Sequence, residues 1–187
     1  MKLVLTMVLA AGGFSLVENV DGVKVEERPV DGSSFKELRF TAHSKASVES
    51  LCNAAYGDGT VPKADASQVK RKILKEGPNE RVTYDQRTAP IVSQRDYAVH
   101  WRKVMQGDSC TVFFETANEL APPLPDGWVR VAKIKGAWKF VRNGEQTDIE
   151  YVSYSEPGGD VPAFLSEGPR RNLELGVMKR LLKTASL

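Results

Sequence analysis

Hydrophobic and polar positions alternate through most of the chain. Four successive runs, 69–75, 80–87, 95–105 and 109–116, alternate or carry β-branched and aromatic residues. A period of two predicts strands that bury one face. Gly77-Pro78-Asn79 and Gly107-Asp108 fall between runs, where hairpin turns belong. Runs 128–135, 137–142 and 145–155 extend the pattern. Asn143-Gly144 predicts a type I′ turn, which needs positive φ at both central positions. Nearer the start, Val23 and Val25 mark a first strand that ends at Pro29-Val30-Asp31-Gly32. Residues 35–43 mark a second, with Leu38, Phe40 and Ala42 on one face.

The period changes at two places. Over 47–56, Val48, Leu51, Cys52 and Ala55 form a helical stripe. Ser47 stands at the N-cap, and Glu49 lies in the first turn, where the helix dipole favours it. After Glu156-Pro157-Gly158-Gly159 the sheet ends. Pro162 suits the first position of a second helix, expected over 162–184 with a break or bend at Pro169. Val161, Phe164, Leu165, Leu173, Val177, Met178, Leu181 and Leu182 supply its apolar surface. Strands joined by short hairpins are antiparallel, and a long amphipathic helix must cover one face of their sheet. The expected class is α+β, a curved antiparallel sheet wrapped around a long C-terminal helix with a cavity between them.

The chain has 187 residues, which suits one domain able to bury a core without metals or a disulfide framework. A net charge of +2 gives no argument for nucleic acid. Lys70-Arg71-Lys72, Arg170-Arg171 and Lys179-Arg180 read as solvated surface. Cys52 and Cys110 read as buried free thiols, with one disulfide as the alternative if the protein is exported. Lys2, then the uncharged stretch 3–11, then Gly12-Gly13, resembles a secretory signal; the alternative is a docking strand or helix. The domain is therefore placed at 14–187 after a signal at 1–13. Localisation is expected to be periplasmic or secreted, with cytoplasmic as the alternative.

The sequence holds no Gly-x-Ser-x-Gly, His-Glu-x-x-His, phosphate loop or dinucleotide fingerprint. His43 and His100 are the two histidines, and strand histidines are mostly structural. No metal-ligand spacing stands out, so neither metal nor cofactor is expected. Arg95 and Asp96 are adjacent on one strand and so face opposite ways, each expected to pair with a neighbouring strand.

Several segments resemble a known family. Gln94-Arg95-Asp96-Tyr97 after Thr88-Ala89-Pro90, Pro125-Asp126-Gly127-Trp128-Val129-Arg130, Thr147 to Tyr151 with Ser155 to Pro162, and Asp21-Gly22-Val23-Lys24-Val25 are similar to START domains, the steroidogenic acute regulatory protein-related lipid transfer domains of the helix-grip superfamily. The order matches over 14–187. One departure is Trp101, which stands where some members carry a cavity arginine; Arg102 falls on the opposite face. The resemblance implies non-catalytic binding, or transfer, of a lipid or other apolar molecule by a monomer, with transient membrane-surface contact and no nucleic acid. The more apolar face of each strand then nominates Tyr84, Tyr97, Val99, Trp101, Phe114, Trp138 and Tyr151 as ligand-binding, with Phe164 and Met178 from the helix. The missing arginine implies a ligand without a demanding polar head. Two alternatives stand beside this: a polyketide aromatase/cyclase-like enzyme on the same fold, and a protein or membrane interaction module using Arg170, Arg171, Lys179 and Arg180.

Overall fold

The computed structural model describes residues 13–57, 69–87, 94–159 and 163–184, without the side chains of Val69, Phe164 and Leu165. The expected signal segment lies outside those residues, apart from Gly13.

Ten strands form one sheet: β1 (Ser15–Val20), β2 (Val23–Arg28), β3 (Glu37–Ser44), β4 (Val69–Glu76), β5 (Glu80–Arg87), β6 (Arg95–Gln106), β7 (Ser109–Thr116), β8 (Val129–Arg130), β9 (Lys133–Asn143) and β10 (Gln146–Glu156). Their order is β1-β2-β3-β10-β9-β7-β6-β5-β4, antiparallel throughout, with β8 added parallel to β6. The strand β1 was not read from the sequence. It is an edge strand with a register shift between Leu16 and Glu18, which disturbs the alternation.

Turn chemistry explains the hairpins, with one exchange. Asp21 and Gly22 have φ of 51° and 77°, so the pair with positive φ at both central positions joins β1 to β2. Between β9 and β10, Asn143 pairs with Gln146 and only Gly144 (φ 60°) is left-handed. The hairpin expected there is present, but it has the II′ pattern of a glycine at the first central position, not I′.

The expected break between runs 128–135 and 137–142 is also corrected: β9 runs unbroken through Gly136. That glycine clears space instead of ending a strand, because the Phe114 ring lies directly over it. A Cβ there would overlap both the ring and the Val152 carbonyl oxygen. Gly136→Ala is therefore expected to lose about 1–3 kcal/mol of stability through overpacking, read from urea denaturation. A loss below about 0.5 kcal/mol would show that Phe114 moves aside freely.

Two helices cover one face of the sheet. The first, α1 (Val48–Tyr56), starts where Ser47 Oγ accepts from the Ser50 N–H at 3.1 Å, and it buries Val48, Leu51, Cys52 and Ala55. Cys52 is bonded to Cys110 of β7, which corrects the free-thiol expectation. Spacing could not show this, since the two lie 58 residues apart in sequence. The second helix, α2 (Ala163–Thr184), passes through Pro169 without a break. Pro169 is the seventh residue of α2, so the helix continues at the cost of one hydrogen bond, the one to the carbonyl of residue 165. Leu175, Met178 and Leu181 carry α2 into the main core.

Candidate ligand-binding face

Antiparallel partners share a face of the sheet, so the register decides which side chains meet. Trp101 opposes Phe114, Trp138 opposes Tyr151, and Tyr151 opposes Phe40. Their rings touch in sequence across five strands: Trp101–Phe114 at 5.4 Å, Phe114–Tyr151 at 6.1 Å, Trp138–Tyr151 at 3.9 Å and Phe40–Tyr151 at 5.7 Å between centroids. Tyr97, Val99, Phe114, Trp138, Tyr151 and Met178 belong to one buried cluster, with Trp101 packed against it. The structure thus gathers seven of the nine nominated residues on the helix-covered face. Phe164 lies outside the described side chains.

Tyr84 is a correction. It opposes Ala98, whereas Asp85 opposes Tyr97, so Tyr84 points to the other side of the sheet. There its hydroxyl donates to Asp96 Oδ2 at 2.8 Å. Asp96 is fully buried and also receives Arg130 in fork geometry, Nε to Oδ1 at 3.0 Å and Nη2 to Oδ2 at 2.6 Å. Arg95 turns the opposite way and donates to the Pro157 carbonyl at 3.2 Å, just beyond the end of β10, whereas Asp96 pairs with neighbouring strands as expected. The apolar content of β5 misled the face assignment. Val82 joins Ala98 and Ala117 in a small second cluster on the outer side.

The inner positions of β5 are consequently Arg81, Thr83, Asp85 and Arg87. Arg71 of β4 clamps Asp85 through Nε at 2.7 Å and Nη2 at 2.8 Å, and Thr83 Oγ1 accepts from Trp101 Nε1 at 3.1 Å. From α2, Glu174 accepts from Tyr151 Oη at 2.5 Å and from Ser153 Oγ at 3.2 Å. Burial pushes the hydroxyl of Tyr151 well above the ordinary tyrosine range, helped by the nearby Glu174 carboxylate. Burial also raises Tyr97, against the pull of Arg87. Both therefore stay protonated donors at neutral pH. Two members of the basic clusters are not solvated surface: Arg71 faces inward, and Arg170 is buried. Of the others, Arg171 lies near Glu18 and Glu27, and Lys179 pairs with Asp21.

Both histidines lie off this face. His43 pairs with the exposed Asp148, and His100 opposes Val82. Among the described residues no cluster of three metal-ligating side chains occurs, and no helix is long and apolar enough to cross a membrane.

Known proteins resemble this arrangement. No family model matches the sequence. An uncharacterized protein of Pseudomonas aeruginosa is 29% identical over 180 residues, covering 94% of this chain and 88% of that one. The crystal structure of a STAR-related lipid transfer protein fragment from Xanthomonas axonopodis is 27% identical with a TM-score of 0.81, covering 94% of this chain and all of that one. Human STARD10 has a TM-score of 0.76 at 18% identity, over 92% of this chain and 73% of its own. The Zhui aromatase/cyclase of a Streptomyces species reaches 0.53 at 12% identity, over 80% of this chain and 93% of its own, a likeness of fold alone.

Proposed function

From the premise that this chain is a domain of the STAR-related lipid transfer (START) type, we propose that it binds one lipid or similar apolar molecule between the sheet and α2 and leaves it unchanged. The observation that carries this is the whole-length likeness to the Xanthomonas lipid transfer protein, combined with the aromatic stripe on the covered face. A hydrocarbon chain taken out of water gains about 25 cal/mol per Å², enough to hold it without a covalent step. Binding is favoured over turnover by the state of the inner carboxylates. Asp85 is clamped by Arg71, and both Glu174 oxygens accept hydroxyls of the sheet, so both carboxylates are held in contacts within the fold.

The proposed site has a direct test. Val99 is buried on the inner face, and Val104 lies on the outer face of the same strand at 36% exposure. Val99→Trp is expected to weaken binding of a fluorescent fatty acid by about tenfold or more, while Val104→Trp stays within about twofold of wild type. Circular dichroism on both variants confirms folding. Equal effects from the two would place the ligand elsewhere.

Export belongs to the same proposal. The Cys52–Cys110 disulfide supports it, because such bonds persist in oxidising compartments and are rare in the cytosol. N-terminal sequencing of protein from its native host should begin near Gly13 or Phe14; an intact Met1 would refute export.

A further inference from the structure

Among the described side chains of α2, Arg170 and Glu174 turn charge toward the sheet. Met178 and Leu181 are fully buried, and the positions one and two turns before Met178 on that helical face are Glu174 and Arg170. Arg170 is 8% exposed, and its Nη2 donates to the Lys36 carbonyl at 2.5 Å. Its Nε and Nη1 are sealed from solvent and meet no hydrogen-bond acceptor among the described residues. The Nε of Arg87, on the inner face of β5, is also sealed and unmatched, while the rest of its guanidinium interacts with the Tyr97 hydroxyl.

The carboxylates nearby are already engaged. Glu174 acts electrostatically on both arginines, but its oxygens accept from Tyr151 and Ser153. Glu167, which also acts on Arg170, accepts the Lys36 backbone N–H at 3.2 Å and lies 3.8 Å from its ammonium. Asp85 belongs to Arg71. A buried guanidinium N–H without an acceptor is costly, and such groups in folded proteins normally have one. Three nitrogens on two cations thus stand ready for an acceptor that the described residues do not supply.

The geometry points to a ligand with an acidic head, a carboxylate or phosphate ester whose oxygens take up Arg170 and Arg87 while its hydrocarbon tail lies along the aromatic stripe. This rests on the reading of the face as a lipid site, and it reverses the expectation of a ligand without a demanding head. The residues on α2 and at the end of β5 supply the charge, not the β6 position occupied by Trp101.

Binding of hexadecanoic acid, hexadecyl phosphate and methyl hexadecanoate to the full chain tests it. The acid and the phosphate should each bind at least about tenfold more tightly than the ester, as charge-assisted hydrogen bonds predict. Arg170→Gln and Arg87→Gln should each remove most of that preference while leaving ester affinity within about twofold. Lys139→Gln, at an exposed position of β9, should keep the preference. If a glutamine variant also loses the ester, Arg170→Lys decides: a retained preference supports the assignment and a lost one overturns it. Inorganic phosphate at millimolar concentration should not displace the acid; displacement would make this a free-anion site, not a lipid head site. Equal affinity of wild type for acid and ester overturns the acidic-head assignment and leaves lipid binding intact. Binding of none of the three overturns the lipid reading itself.

Discussion

Replacing Arg130 by alanine is expected to cost about 3–5 kcal/mol of folding stability, because it strands a buried carboxylate. Asp96 has no solvent exposure and three charge-relevant contacts: two from the Arg130 fork and one from the Tyr84 hydroxyl. The same arginine donates through Nη2 to the Pro122 carbonyl at 2.8 Å, so it also anchors the long connection from β7 to β8. Arg130→Lys keeps the charge but loses the fork, and an intermediate loss is expected. The double variant Asp96→Leu/Arg130→Leu removes the stranded charge and should recover much of the single-variant loss. Urea denaturation followed by circular dichroism gives all three values. A loss under about 1 kcal/mol for Arg130→Ala would equate the pair with an ordinary surface ion pair.

Removing the disulfide is the second large effect. Cys52→Ala/Cys110→Ala is expected to lower stability by about 2–4 kcal/mol, the range for a cross-link that restrains the unfolded chain. The bridge spans 58 residues and ties α1 to the middle of the sheet. Both sulfurs lie in the fully buried core, so the alanine pair adds a small packing loss to the lost restraint. Wild-type protein in excess reductant should approach the variant's midpoint, and the variant itself should ignore reductant. A variant as stable as the oxidised wild type would show that α1 is held by packing alone.

Much of the fold was readable because alternation is strong where a sheet buries one face. Tyr97, Val99, Trp101, Phe114, Trp138 and Tyr151 announce that face on four successive sheet neighbours. Strand β5 resisted the same method for a physical reason. Its apolar residues cover a small outer cluster beneath the 3-10 turn at Asn118–Leu120, while Asp85 and Thr83 sit inside with partners from other strands. Hydropathy sees the residue, not its partner, and partners such as Arg71 are set by register. Gly136 looked like a strand end, yet its lack of a side chain makes room for the ring of Phe114, its direct partner on neighbouring β7. The charged face of α2 escaped notice for a related reason: Arg170 beside Arg171 reads as surface until the helix is docked.

Native mass spectrometry of the purified full chain tests the central claim most directly. The lipid-binding account predicts a 1:1 complex with an apolar molecule, either co-purified or taken up from a mixture of fatty acids, sterols and phospholipids. A spectrum of unliganded protein alone, before and after that mixture is offered, would contradict it.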